Sequence, residues 1–295
     1  MKLQHSSPAK PVYHNERNDV TLVLDCPFLA YKALYTMGEL AHEGVKTGVV
    51  FGFLSQILNL AQSFNTSRLV FCWDSKHSFR RQQLPTYKAN RREEKPPELI
   101  EAYKSFKALR RKILPAMGFK DSHVQRGLEA DDIIAEVVKG QRGNFVIVSA
   151  DEDLFQLLAN NVRMYNPSKK KMMTYSRFKE EFFIRPTDWA RAKCLMGCKT
   201  DNVPGIQWIG QVFATKYIRG ILTWSGKAYK RIKAGEAEAL ERNWPLISLP
   251  HPKTRPITRV DNVLDLAGFT AVCWEYGLKS FMQKDRLAEW KEMFL

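Results

Sequence analysis

The sequence predicts an α/β fold, a parallel sheet covered by helices on both faces, with a mostly helical C-terminal part. Three observations carry this. The runs VTLVLD (Val20–Asp25), RLVFCWD (Arg68–Asp74) and NFVIVS (Asn144–Ser149) are continuously apolar rather than alternating, as strands buried on both faces are. Longer segments of helical character separate them, which is what connections between parallel strands require. After about Pro186 the strand signals fade, and the chain reads as helical to Leu295. At 295 residues, 44% hydrophobic and 26% charged, the chain has ample core for one large domain or two smaller ones.

Taken in order, residues 1–19 are polar and lack the apolar stretch of a signal peptide, so they read as a flexible tail. After the first strand comes an amphipathic segment, then a core-facing helix at Val49–Ala61. Ser55, Gln56 and Asn59 interrupt that helix, so no membrane span is expected and the protein should stay in the cytoplasm. Pro97–Met117 reads as a helix, and an acidic helix begins near Leu128. Met164–Asn166 and Met172–Tyr175, around the basic turn PSKKK, read as a hairpin. A soft boundary near 180–186 divides a unit at 20–185 from a helical lobe at 186–295. The five cysteines are odd in number and scattered, which suits reduced thiols. Cys194 and Cys198 lack the second pair a zinc site needs and read as buried.

Charge narrows the function. Lys and Arg number 46 against 31 Asp and Glu, a net +15, with a pI of about 9.6. Such an excess favours a polyanionic partner, nucleic acid above all, although lysines also serve plain solubility. Against that background the buried strands end in acids: Asp25, Asp74, and the pair Asp151 and Asp153. One terminal Asp is ordinarily a turn residue or a helix cap. The same coincidence at three strands aims several acids at the carboxyl edge of the sheet, where ligands bind in such folds. RGLEADDIIAEVV (Arg126–Val138) adds Glu129, Asp131 and Asp132 ahead of an apolar helical stripe. Six or seven converging carboxylates would raise one another's pKa values, and divalent ions are the simplest remedy. Oxygen donors without His or Cys point to Mg²⁺ or Mn²⁺.

VLD, FCWD, GLEADD and SADEDLFQLL, in this order, together with FRRQQLPTYKANR (Phe79–Arg91), resemble the 5′-3′ exonuclease and flap endonuclease family, in particular its compact bacterial and bacteriophage members. The resemblance spans roughly Val20 to Ala214 and implies a PIN/resolvase-like sheet in the cytoplasm of a bacterial or phage-infected cell. It implies a first metal site at Asp25, Asp74, Glu129, Asp131 and Asp132, and a second at Asp151, Asp153 and Asp201. Two ions about 3.5–4 Å apart activate water, hold the scissile phosphate and stabilise the departing oxygen. The implied products are a 5′-phosphate and a 3′-hydroxyl. Residues 79–115 would form a helical arch over the 5′ strand. There Lys88 and Arg91 would act at the phosphate, Tyr87 would stack on a base, and Arg80 would position the backbone.

LMGCKTDNVPGIQWIGQVFATKYI (Leu195–Ile218) resembles the family's helix–three-turn–helix, about 195–220, whose glycine turn grips duplex phosphates, with K⁺ as a further ion. Gly205 and Gly210 keep the outer glycines, and Lys216 follows as a phosphate contact or a solvated helix residue. Two departures stand out. Cys198 replaces the first aspartate of the family's M-G-D, and thiols are poor Mg²⁺ ligands. Trp208 and Val212 replace the usual glycine and lysine. The implied partner is DNA with 5′ flaps, overhangs or nicks, with RNA primer ends as a further substrate, bound by a monomer. A DNA-junction binder with a decayed second metal site and a PIN-like ribonuclease are the rival readings.

Overall fold

The computed structural model describes residues 19–92 and 97–295. The expected tail at 1–19 lies, except for Asp19, outside the described residues, as do positions 93–96 of the expected arch. The strands are β1 (Val20–Asp25), β2 (Ala41–His42), β3 (Val45–Lys46), β4 (Leu69–Cys72), β5 (Ser122–His123), β6 (Asn144–Val148), β7 (Val162–Asn166) and β8 (Lys171–Met173). Six of them form one sheet in the order β5-β4-β1-β6-β7-β8. All neighbours in it are parallel except β7 and β8. β2 and β3 form a separate small hairpin.

Helices close both faces. They begin with α1 (Cys26–Met37), α2 (Gly48–Phe64) and α3 (Phe79–Gln83). Next, α4 (Pro97–Ala108) runs through a π turn at Leu109–Ile113 into α5 (Leu114–Ala116). α6 (Ala130–Gly140), α7 (Tyr175–Phe182), α8 (Trp189–Met196), α9 (Gln211–Ile218) and α10 (Lys227–Ile247) follow. The chain finishes with α11 (Leu266–Glu275) and α12 (Lys284–Phe294). Strand side chains alternate between two cores, as the pleat dictates. Leu22, Leu24, Leu69, Phe71, Val146 and Val148 pack against α1, α2, α4, α11 and α12. Val23, Val70, Cys72, Phe145 and Ile147 face α6, α7 and α8, with α9 and α10 reaching the same core through Ala214 and Ile232. Continuous apolar strands are the sequence signature of this two-sided burial. No helix among the described residues is long and apolar enough to cross a membrane.

Two local expectations are revised and a third is extended. The second strand stops at Cys72, so Trp73 and Asp74 have left the sheet. The acidic helix starts at Ala130, with Glu129 as its cap. The hairpin around PSKKK is present as β7–β8, and β7 also pairs with β6, so it widens the main sheet. The helical C-terminal stretch turns at Gly277, whose φ is +59°, between α11 and α12. Both cores run across residue 186: Leu264, Phe269, Trp290 and Phe294 join the β1 core on one side, and Trp189, Leu195 and Ala214 join the α6 core on the other.

Candidate functional site

Where β1 ends, Asp25 caps α1 by accepting the Phe28 N–H at 3.1 Å. Its other oxygen accepts the Ser149 hydroxyl, just past β6, at 2.6 Å. Asp74, beyond β4, accepts the Ala130 amide at the first turn of α6 at 2.8 Å. Each strand-end acid is thus fastened to a neighbouring helix start or loop. Asp25, Asp74, Glu129, Asp131 and Asp151 line one cavity of about 300 Å³, with Lys88, Tyr31 and Ser149 also in its wall.

The electrostatics follow from this crowding. Burial pushes the Asp25 carboxyl up to about 7, and Asp74 and Asp151 push the same way against the lowering hydrogen bonds from Ser149 and Phe28. Burial, then Asp151 and Asp25, also holds Asp131 well above the usual carboxylate range. Glu129 goes the other way: burial would raise it, but the Lys88 and Arg80 charges outweigh that and lower it.

Lys88 joins this cavity to a second acidic group. Its φ is +51°, a left-handed conformation. Its N–H donates to the Asp201 carbonyl at 2.9 Å, and its ammonium lies 2.8 Å from Glu129 Oε2 and 3.8 Å from Asp201 Oδ2. Asp201 itself stands with Asp153 and Cys198, one donor atom from each lying within 4.8 Å of the others. The Lys193 ammonium is 2.6 Å from Asp153 Oδ1, and Cys198 Sγ is 3.1 Å from Thr200 Oγ1. The donor chemistry of the two groups differs. The first is all carboxylate and fits a hard divalent ion. The second offers two carboxylates and a thiol, and fits Mg²⁺ less well. Cys198 is partly exposed within this acidic group, not buried as its sequence context implied. Asp151, assigned by resemblance to the second site, lines the cavity of the first.

Three expected site residues have other work. Asp132 is 0% exposed and faces away from the cavity. It takes both Arg80 guanidinium nitrogens at 2.6 and 2.7 Å, the His251 N–H at 2.8 Å and the Glu129 N–H at 3.0 Å. Arg80, 2% exposed, also donates to the Leu246 carbonyl at 2.8 Å, so it is a buried strut rather than a DNA contact. Tyr87, 3% exposed, has no ring face open to a base; its hydroxyl donates to Glu129 Oε2 at 3.2 Å. The side chain of Arg91 lies outside the described residues.

Sequence reasoning missed Lys193, which nothing nearby in the chain marks, and Ser149, which the run VSADED could have suggested. It also missed the closure of α3 over α6 through His251 and Leu246.

At the glycine turn, Gly205 lies against the end of α8: a Cβ there would meet the Met196 carbonyl oxygen at 2.2 Å. Gly205 therefore serves an internal close approach. Gly210, with nothing within 4 Å of such a Cβ, opens α9 toward solvent, and Lys216 is exposed on that helix. Trp208 has a φ of +69°, a left-handed conformation that costs about 1–3 kcal/mol for a bulky side chain.

Comparison with known proteins agrees with this geometry. Residues 20–183 match the family model for the 5′-3′ exonuclease N-terminal resolvase-like domain. A 5′-3′ exonuclease of Buchnera aphidicola subsp. Schizaphis graminum is 31% identical over 195 residues, covering 64% of this chain and 66% of that protein. A 5′-3′ exonuclease of Bacillus subtilis is 30% identical over 215 residues, covering 68% of this chain and 70% of that protein. A bacteriophage T5 flap endonuclease, solved as a pseudo-enzyme-product complex with DNA and metal ions, superposes with a TM-score of 0.65 at 22% identity, covering 92% of this chain and 98% of that one. The parallel sheet, the acidic rim and the family match over more than half its length together place this chain in the 5′-3′ exonuclease family of nucleases.

Proposed function

We propose that the chain is a divalent-cation-dependent 5′ nuclease that cuts DNA at 5′ ends, flaps and nicks according to structure rather than sequence, with RNA primer ends as a second substrate. The observation that carries this reading is the meeting of Asp25, Asp74, Glu129, Asp131 and Asp151 in one cavity beside Lys88. Mg²⁺ or Mn²⁺ held there, and at Asp153, Cys198 and Asp201, would supply an activated water and neutralise charge at the scissile phosphate. The chain's own residues prepare the rest. Ser149 and the α1 amide orient Asp25, and Tyr87 and Lys88 orient Glu129. The Lys88 ammonium, between the two acidic groups, is set to stabilise charge growing on the phosphate. Hydrolysis joins the water oxygen to phosphorus as the P–O3′ bond breaks, and O3′ takes up a proton. That leaves a 5′-phosphate and a 3′-hydroxyl. In this reading residues 79–115 guide the 5′ strand and 195–220 seat the duplex.

The test is cleavage of a 5′-labelled flap with Mg²⁺ or Mn²⁺ at low salt. Wild type should cut, and Asp74→Ala should lose at least about 100-fold in rate, as expected when a metal centre loses a ligand or its support. Cys198→Asp should gain activity, most visibly in Mg²⁺. A flap that wild type and Cys198→Asp both bind without cutting would favour the junction-binder reading, which Cys198 and the Lys193–Asp153 pair motivate.

A further inference from the structure

Trp208 combines two features that cost stability. Its backbone is left-handed, where glycine is at ease, and its indole is 70% exposed. Beyond it, Val212 is 62% exposed and Phe213 42% exposed on the first turn of α9. An apolar tip of this kind on a protein surface marks a contact, and backbone strain held beside it points to use rather than accident.

Charge identifies the partner. Residues 202–235 contain no Asp or Glu and six basic residues, Lys216, Arg219, Lys227, Lys230, Arg231 and Lys233. All six side chains are exposed, which suits a polyanion, and of the acids that follow on α10, Glu236 is held by Arg191 and Tyr217 and Glu238 by Arg242. Apolar side chains cannot pair with phosphates, but they fit the sugar rings and the floor of a minor groove, where nucleic-acid-binding proteins insert such wedges.

We propose that Trp208, with Val212 and Phe213, makes an apolar contact in the minor groove of the duplex arm. Here contact area adds to the charge that Lys216 and Arg219 supply at the end of the same helix. The inference rests on the DNA-directed reading above and adds to it how this turn holds the duplex.

Binding without divalent ions tests it, because no cutting intervenes. Trp208→Gly relieves the backbone and should melt no lower than wild type. It should bind a 5′-flap duplex about tenfold more weakly, the scale of one lost apolar contact to a base or sugar. The slope of log Kd against log[salt] should stay that of wild type, since no charge has been removed. Binding of a single-stranded oligonucleotide should be unchanged. Flap binding within twofold of wild type would overturn the proposal and leave the nuclease reading standing. So would a loss accompanied by a shallower salt slope, or an equal loss on single strands. Failure of wild type itself to bind DNA would instead overturn the reading beneath it.

Discussion

Asp25 sits on the floor of the acidic cavity with its carboxyl pushed up to about 7 from an ordinary 3.8, by burial first and by Asp74 and Asp151 after it. In the ion-free protein it therefore keeps its proton over a range in which the unfolded chain has already lost it. The unfolded state binds fewer protons there, so stability falls as pH rises from about 4 to about 7 and levels off beyond. Asp131 acts in the same direction. Glu129, lowered by Lys88 and Arg80, contributes stability that is present above its unfolded pKa and lost as pH falls through its depressed folded value. The contribution of these three carboxyls to ion-free stability should then be greatest near pH 4–5, between the opposing windows. A divalent ion in the cavity competes with the Asp25 and Asp131 protons, so its stabilising effect should grow with pH. Thermal melting with and without Mn²⁺ checks both points: the ion should raise Tm more at pH 8 than at pH 5.5, and Asp25→Asn should flatten the ion-free descent. The same pH dependence of ion-free Tm in wild type and Asp25→Asn would contradict the assignment.

The start of α6 shows how far an element can be read from its own sequence. GLEADD disclosed a helix start and a concentration of acids, and Glu129 and Asp131 do face the cavity. Asp132 does not, although on a helical wheel it neighbours Glu129. Its carboxylate turns back to the Glu129 amide, as a helix cap favours, and is captured by Arg80 from 52 positions earlier. Neither Arg80 nor the Leu246 and His251 backbone that completes the network adjoins it in sequence. Local pattern thus found the element and two of its three acids, while the third depended on contacts no window could contain. Energetics follow from this burial. Arg80→Ala would strand a carboxylate that is fully enclosed, and breaking one partner of such a pair costs about 3–5 kcal/mol. Denaturant unfolding in the ion-free state should record that loss. Replacing both partners by apolar residues would restore only part of it, because the Glu129 and His251 amides would lose their acceptor.

Across the whole molecule, the parallel sheet was legible because strands covered on both faces need unbroken apolar sequence, and β1, β4 and β6 supply it. What covers each face was not, because apolar helices do not name their partners. The soft boundary near 180–186 read the chain as two lobes packed together, without saying where they meet, and α11 and α12 pack on the face of the sheet that α1 and α2 cover. Trp290 packs beside Phe119, Phe269 and Phe281, and Phe294 meets Phe119 edge-on with ring centroids 5.1 Å apart. Removing one such aromatic costs about 3–5 kcal/mol, against a total stability of about 5–15 kcal/mol for a typical domain. Trp290→Ala should therefore remove a large share of the stability, and a chain ending after Val263 should not fold at all, even though every cavity acid lies before that point. Circular dichroism during urea titration separates the two architectures. A lobe folding by itself would leave the 20–185 fragment with a cooperative transition of its own, whereas a core shared across the boundary leaves that fragment without one.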